Sequence, residues 1–148
     1  MSKVAINELG GFTDVVVLDY NDLIAIGNGG TRVIAKIPAH GAVELCGVAN
    51  TVDIAGSSSL VIDVGTTSAD PDEFINALDV DAMTTPVFNT GDQFTAGTTV
   101  STSGLSQAVK FVTADTDIYI KVTDSAVASL TAGQIVIGLR ILDLAKFA

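Results

Sequence analysis

Five carboxylates crowd one short stretch: Asp70, Asp72, Glu73, Asp79 and Asp81. Calcium takes several oxygen ligands, and Asp70, Asp72 and Glu73 are the candidates for holding it in this chain. The spacing favours another role. Asp70-Pro71-Asp72 has neither the loop spacing nor the central glycine of an EF-hand, and Asp79 and Asp81 alternate along an extended stretch. A helix cap beside a solvated acidic face fits these residues better.

Other chemistry lacks the residues it needs. His40 and Cys46 are the only histidine and cysteine, and together they cannot supply the three or four ligands of a zinc site. His40 lies in a Pro-Ala-His-Gly turn, and no serine sits in a nucleophile elbow, so a Ser-His-Asp hydrolase is not indicated. Cys46, between Leu45 and Gly47, reads as an inert core residue, and a lone cysteine allows no intrachain disulfide. Gly27-Asn28-Gly29-Gly30 precedes a strand, with no Lys-Ser/Thr after it, so it is a turn and not a phosphate cradle. There is no Trp, and the tyrosines are Tyr20 and Tyr119 alone, which leaves few aromatic platforms for a sugar. No catalytic residue, cofactor or firm metal set is assigned, and the chain is not expected to be an enzyme.

Charge narrows the partners. The net charge is −10, which opposes direct binding to nucleic acid or to an anionic membrane surface. Fourteen of the seventeen acids are Asp, a residue suited to turns and strand ends rather than helix interiors. Yet 48% of the residues are hydrophobic and mean hydropathy is +0.52. Burying part of that apolar surface between subunits reconciles the two, because obligate interfaces resemble a domain core cut in half. A core rich in Ala and Val is the plainer alternative. No stretch approaches eighteen apolar residues, so no membrane-spanning helix is expected. The N-terminus has no signal-peptide pattern, so synthesis in a cytoplasm without classical export is expected.

The elements that must carry these residues are mostly strands. Residues 133–144 form the longest strand signal, with Ile135, Ile137, Leu139 and Ile141 on one face and Val136, Gly138, Arg140 and Leu142 on the other. Two apolar faces predict a central strand covered on both sides. Gly138 predicts a bulge or a close neighbour. Arg140 either reaches a subunit boundary or pairs with an aspartate. Further strands are expected at 3–7, 31–37, 42–46, 49–54, 60–64, 87–89, 108–113 and 117–123, with β-branched runs at 15–18 and 23–26. Asp70 as N-cap, Pro71 at the first helical position and Glu73 three after the cap predict one short helix over 71–78. Residues 125–132 suit a single helical turn, and 91–107 a long exposed loop.

The expected fold is therefore all-β: a single-domain β-sandwich over 31–148, jelly-roll-like by strand count, with residues 1–30 as a possible extended arm. The best internal boundary is the small-residue loop at 56–59.

Leu-Val-Ile-Asp-Val-Gly at 60–65, Asp-Pro-Asp-Glu-Phe at 70–74, Ile-Tyr-Ile-Lys-Val-Thr at 118–123 and Thr-Ala-Gly-Gln-Ile-Val-Ile-Gly-Leu at 131–139 together resemble small virion structural proteins of tailed bacteriophages, in particular the jelly-roll cement or decoration proteins of capsids. The resemblance spans 58–144. It implies a homotrimer on the outer capsid surface that clamps neighbouring major capsid protein subunits, with no catalytic residues. The first 55 residues lie outside it, as a gripping arm, an additional sheet or part of a trimer interface. Other readings are a tail or head-fibre component, or a non-viral glycan- or calcium-binding module.

Overall fold

The computed structural model describes residues 11–95 and 110–147. In chain order these form β1 (Asp14–Asp19), α1 (Tyr20–Ile26), β2 (Thr31–Ile37), β3 (Gly41–Ala55), β4 (Val61–Gly65), β5 (Ile75–Asp79), β6 (Val87–Phe88), the four-residue α2 (Asp92–Thr95), β7 (Lys110–Phe111), β8 (Thr116–Thr123) and β9 (Ala132–Asp143). Short 3-10 turns occupy Val127–Ser129 and Leu144–Phe147.

The strands make an all-β sandwich of two antiparallel sheets. One runs β1-β9-β3-β6, with β7 also on β3, and the other runs β2-β8-β4-β5. Period-two alternation fills the space between them. Ile135, Ile137 and Leu139 of β9 meet Ile118, Ile120 and Val122 of β8 in one cluster, all wholly buried. Cys46 and Val48 of β3 and Ile62 and Val64 of β4 belong to the same cluster.

The predicted strand at 133–144 is the inner strand β9, paired to β1 on one side and β3 on the other. The segments read as 42–46 and 49–54 are one fifteen-residue strand, β3. A bulge between Val43 and Leu45 interrupts its ladder. The Asn89 amide steps in nearby: its Oδ1 accepts from the Cys46 N–H at 2.8 Å, and its Nδ2 donates to the Glu44 carbonyl at 3.4 Å.

Three expectations are corrected. No helix forms over 71–78. Phe74 and Ile75 are both wholly buried, and they lead the chain into the four-stranded sheet. Residues 75–79 are the strand β5, which satisfies the free edge of β4. Phe74 N–H donates to the Val64 carbonyl at 2.8 Å, and the buried Asp63 carboxylate accepts from Ala77 N–H at 2.6 Å. The pairing of a whole edge outweighs a local cap signal worth about 1 kcal/mol. Conversely, the run at 23–26 is helical. Asp19 and Asp22 form a reciprocal capping box, with Asp22 N–H donating to Asp19 at 3.0 Å and Asp19 N–H to Asp22 at 3.2 Å. Gly27 ends the helix at φ +80°.

Residues 14–26 are also not an extended arm. β1 pairs with β9 from Asp14 to Asp19, and Leu18 and Leu23 are wholly buried. The suggested strand at 3–7 lies outside the described residues, as do 96–107 of the suggested long loop; 92–95 of that loop are the turn α2. Deleting residues 1–30 is expected to unfold the protein, because it strips a strand and three core side chains, Val16, Leu18 and Leu23, from the sandwich. A cooperative thermal transition in the truncated chain, measured by circular dichroism, would contradict this.

Candidate functional site

The acidic segment comes first, because the sequence singled it out. Asp70 pairs with Lys121 of β8 at 3.4 Å and is largely exposed. Glu73 folds back on the end of β4. Its carboxylate accepts from the Thr66 N–H at 2.8 Å, the Thr66 hydroxyl at 2.9 Å and the Thr67 hydroxyl at 2.7 Å. Burial pushes the Glu73 carboxyl up, but the Thr67 and Thr66 donors outweigh it and hold the group below its ordinary value. Asp72 is raised instead, by burial first and then by the nearby Asp92 carboxylate.

Asp79 accepts from the Asp81 and Ala82 N–H groups at 3.0 and 3.3 Å, and Asp81 accepts from Leu60 N–H at 3.2 Å and from the Ser57 hydroxyl. Each carboxylate thus ties down a turn. Among the described residues, no group of three or more His, Cys, Asp or Glu converges where a metal ion could be held. The calcium candidates Asp70, Asp72 and Glu73 therefore do not assemble into a site.

His40 is exposed, in a turn where its own φ is +61°. Cys46 is wholly buried, and burial pushes its thiol far up, out of the reactive range.

Asp124 is a carboxylate that the sequence did not single out. It is 3% exposed and sits where three connections meet. It accepts from the Ser58 hydroxyl at 2.7 Å, from Ser58 N–H at 3.3 Å and from Ala126 N–H at 2.9 Å, while its own N–H donates to Asn28 Oδ1 at 3.0 Å. Burial raises its carboxyl, but the Ala126 and Ser58 donors prevail and keep it below the usual range. This is the anchor of one end of the sandwich.

The other unforeseen feature is an apolar groove on the outer face of the five-stranded sheet. The register sets Val15, Gly138, Gly47 and Phe88 side by side across four strands. Val17, Val136 and Ala49 form the next row. Gly138 does have the close neighbour its lack of a side chain implied: a Cβ there would lie 2.8 Å from the Phe12 ring, and one at Gly47 would lie 2.5 Å from Phe88. The two glycines let the Phe12 and Phe88 rings lie over the sheet, stacked 6.4 Å apart and 7° from parallel. Pro86 completes a groove of about 160 Å³ whose lining is apolar throughout. Phe88 remains 49% exposed.

β9 is thus inner in its sheet, but only one of its faces is covered by the opposing sheet. Arg140, two residues beyond Gly138 on β9 and outside the groove's lining, donates to the Gly11 carbonyl at 3.0 Å and pairs at 3.2 Å with Glu44, a glutamate rather than the expected aspartate.

No family model matches the chain, and no curated protein matches it. Two solved structures are similar to it. One is described as the capsid of Ralstonia phage GP4, with 12% identity, 97% of this chain and 90% of that chain covered, and a TM-score of 0.43. The other is described as an acidic stable capsid structure of Helicobacter pylori bacteriophage KHP30, with 11% identity, 87% and 91% coverage, and a TM-score of 0.36. With TM-scores below 0.5 at such identities, neither likeness carries an argument about function.

Because the folded Asp124 carboxyl lies below its unfolded value, its contribution is fully present above the unfolded pKa of about 3.9 and is lost as pH falls through the folded one. Asp124→Asn is expected to lower stability by about 1–3 kcal/mol at neutral pH, with the gap from wild type closing below about pH 4. Urea melts across pH measure this, and a gap independent of pH would contradict it.

Proposed function

We propose that this chain is a structural, non-enzymatic virion protein that decorates the outside of a bacteriophage capsid as a homotrimer and bridges subunits of the major capsid protein. The observation that carries this reading is an acidic β-sandwich that keeps an apolar, ring-paved face on one of its two outer surfaces. Contiguous exposed apolar surface marks a place of contact, and the charge elsewhere limits indiscriminate association.

The topology supports the same reading. The chain passes from sheet to sheet in the order β1, β2, β3, β4, then after β5 returns through β6, β8 and β9, giving rows β1-β9-β3-β6 and β2-β8-β4-β5. We read that order as jelly-roll-like, an architecture used by viral capsid and lectin domains. Fold alone does not choose between these. The lack of a convergent calcium set among the described residues and an apolar groove without polar lining weigh against a lectin-like module. The sequence resemblance over 58–144 weighs for the capsid.

Bridging works by multivalency: three linked copies convert modest single contacts into lasting attachment. Shells of the parent virus assembled without this chain are expected to bind it on co-sedimentation and to resist heat better once they do. Raised salt should weaken the attachment as acidic surfaces are screened from the shell. Failure to sediment with shells at any ionic strength would overturn the proposal.

A further inference from the structure

We propose that the outer face of the five-stranded sheet, centred on Phe12, Phe88 and Val136, is where copies of this chain meet; the inference rests on the homotrimer reading above and assigns its surface. The two outer faces of the sandwich differ in kind. Along β2 and β8 lie the ion pairs Arg32–Asp22 at 3.1 Å, Lys36–Asp117 at 3.8 Å and Lys121–Asp70 at 3.4 Å. On the five-stranded sheet the Arg140–Glu44 pair at 3.2 Å lies outside the groove, and the groove across β1, β9, β3 and β6 has no ionisable group in its lining among the described residues.

Charge selects the occupant. Each copy carries −10, so two copies repel wherever charged surfaces approach within about a Debye length, roughly 8 Å at physiological salt. A neutral patch is the surface on which identical acidic chains can approach without that cost. A basic partner would be drawn to the carboxylate-bearing surfaces instead. The composition of the groove also suits an interface core, which is enriched in aromatic residues and depleted of charge. The stacked rings present a broad surface, so that three such patches can converge about a three-fold axis.

The test is solution mass by light scattering on the full chain, with far-UV circular dichroism as the check on folding. Wild type is expected at about three times 15.1 kDa. Phe88→Lys and Val136→Lys are expected to fall to the single-chain mass with an unchanged β spectrum, while Val33→Lys, on the opposite sheet and 43% exposed, stays assembled. If Val136→Lys does not fold, Phe88→Lys decides the matter, because that ring is half exposed on a two-residue edge strand. A trimer that survives Phe88→Lys overturns this face while leaving the trimer reading intact. A two-copy mass abolished by Phe88→Lys keeps the face and overturns the trimer. Wild type at the single-chain mass overturns both, and leaves attachment to shells to be judged by co-sedimentation.

Discussion

The ladder between β3 and β9 is the constraint on which the rest depends. It joins a fifteen-residue strand to a twelve-residue one, and β9 is paired on its other side to β1 as well. Once that register is set, period-two alternation leaves no freedom. Ile135, Ile137 and Leu139 point into the core, and a slip of one residue would send all three to the surface. The same register sets Gly138 opposite Gly47 and Val15. The gap paved by Phe12 and Phe88 is therefore a product of core pairing rather than a separate feature of the loops.

The aspartates have a plain role around this ladder. Asp19, Asp63, Asp79, Asp81 and Asp124 each accept from backbone N–H groups at strand ends, turns or helix starts. These are groups the sheets leave unpaired, and a carboxylate satisfies them more strongly than a neutral acceptor. The acidity of the chain is thus partly a consequence of its many short connections. The resulting negative charge then gives the neutral outer face its significance.

Strands were legible where alternation was clean. The run at 31–37 matches β2 to the residue, 117–123 differs from β8 by one residue at its start, and 133–144 differs from β9 by one residue at each end. Local signals misled where a tertiary demand opposed them. The Asp-Pro-Asp-Glu cap at 70–73 pointed to a helix, but the edge of β4 claimed residues 75–79 and Glu73 turned to Thr66 and Thr67. The Asp19–Asp22 capping box was readable in the sequence, yet the β-branched run at 15–18 drew its neighbour 23–26 into the same strand reading. The acidic segment was visible as a cluster but not as separate turn anchors. The groove was not legible at all, because it needs Phe12, Gly47, Phe88 and Gly138 brought together from four distant points of the chain. Only the requirement for a close neighbour at Gly138 hinted at it.

The central claim is that this protein polarises its two outer sheet faces and buries the apolar one on assembly. Hydroxyl-radical footprinting of the assembled protein, compared residue by residue with the dissociated chain, tests it most directly. Phe12 and Phe88 are expected to become protected on assembly while Tyr119, on β8 of the opposite sheet, stays reactive. Protection of Tyr119 with Phe12 and Phe88 still open would contradict it.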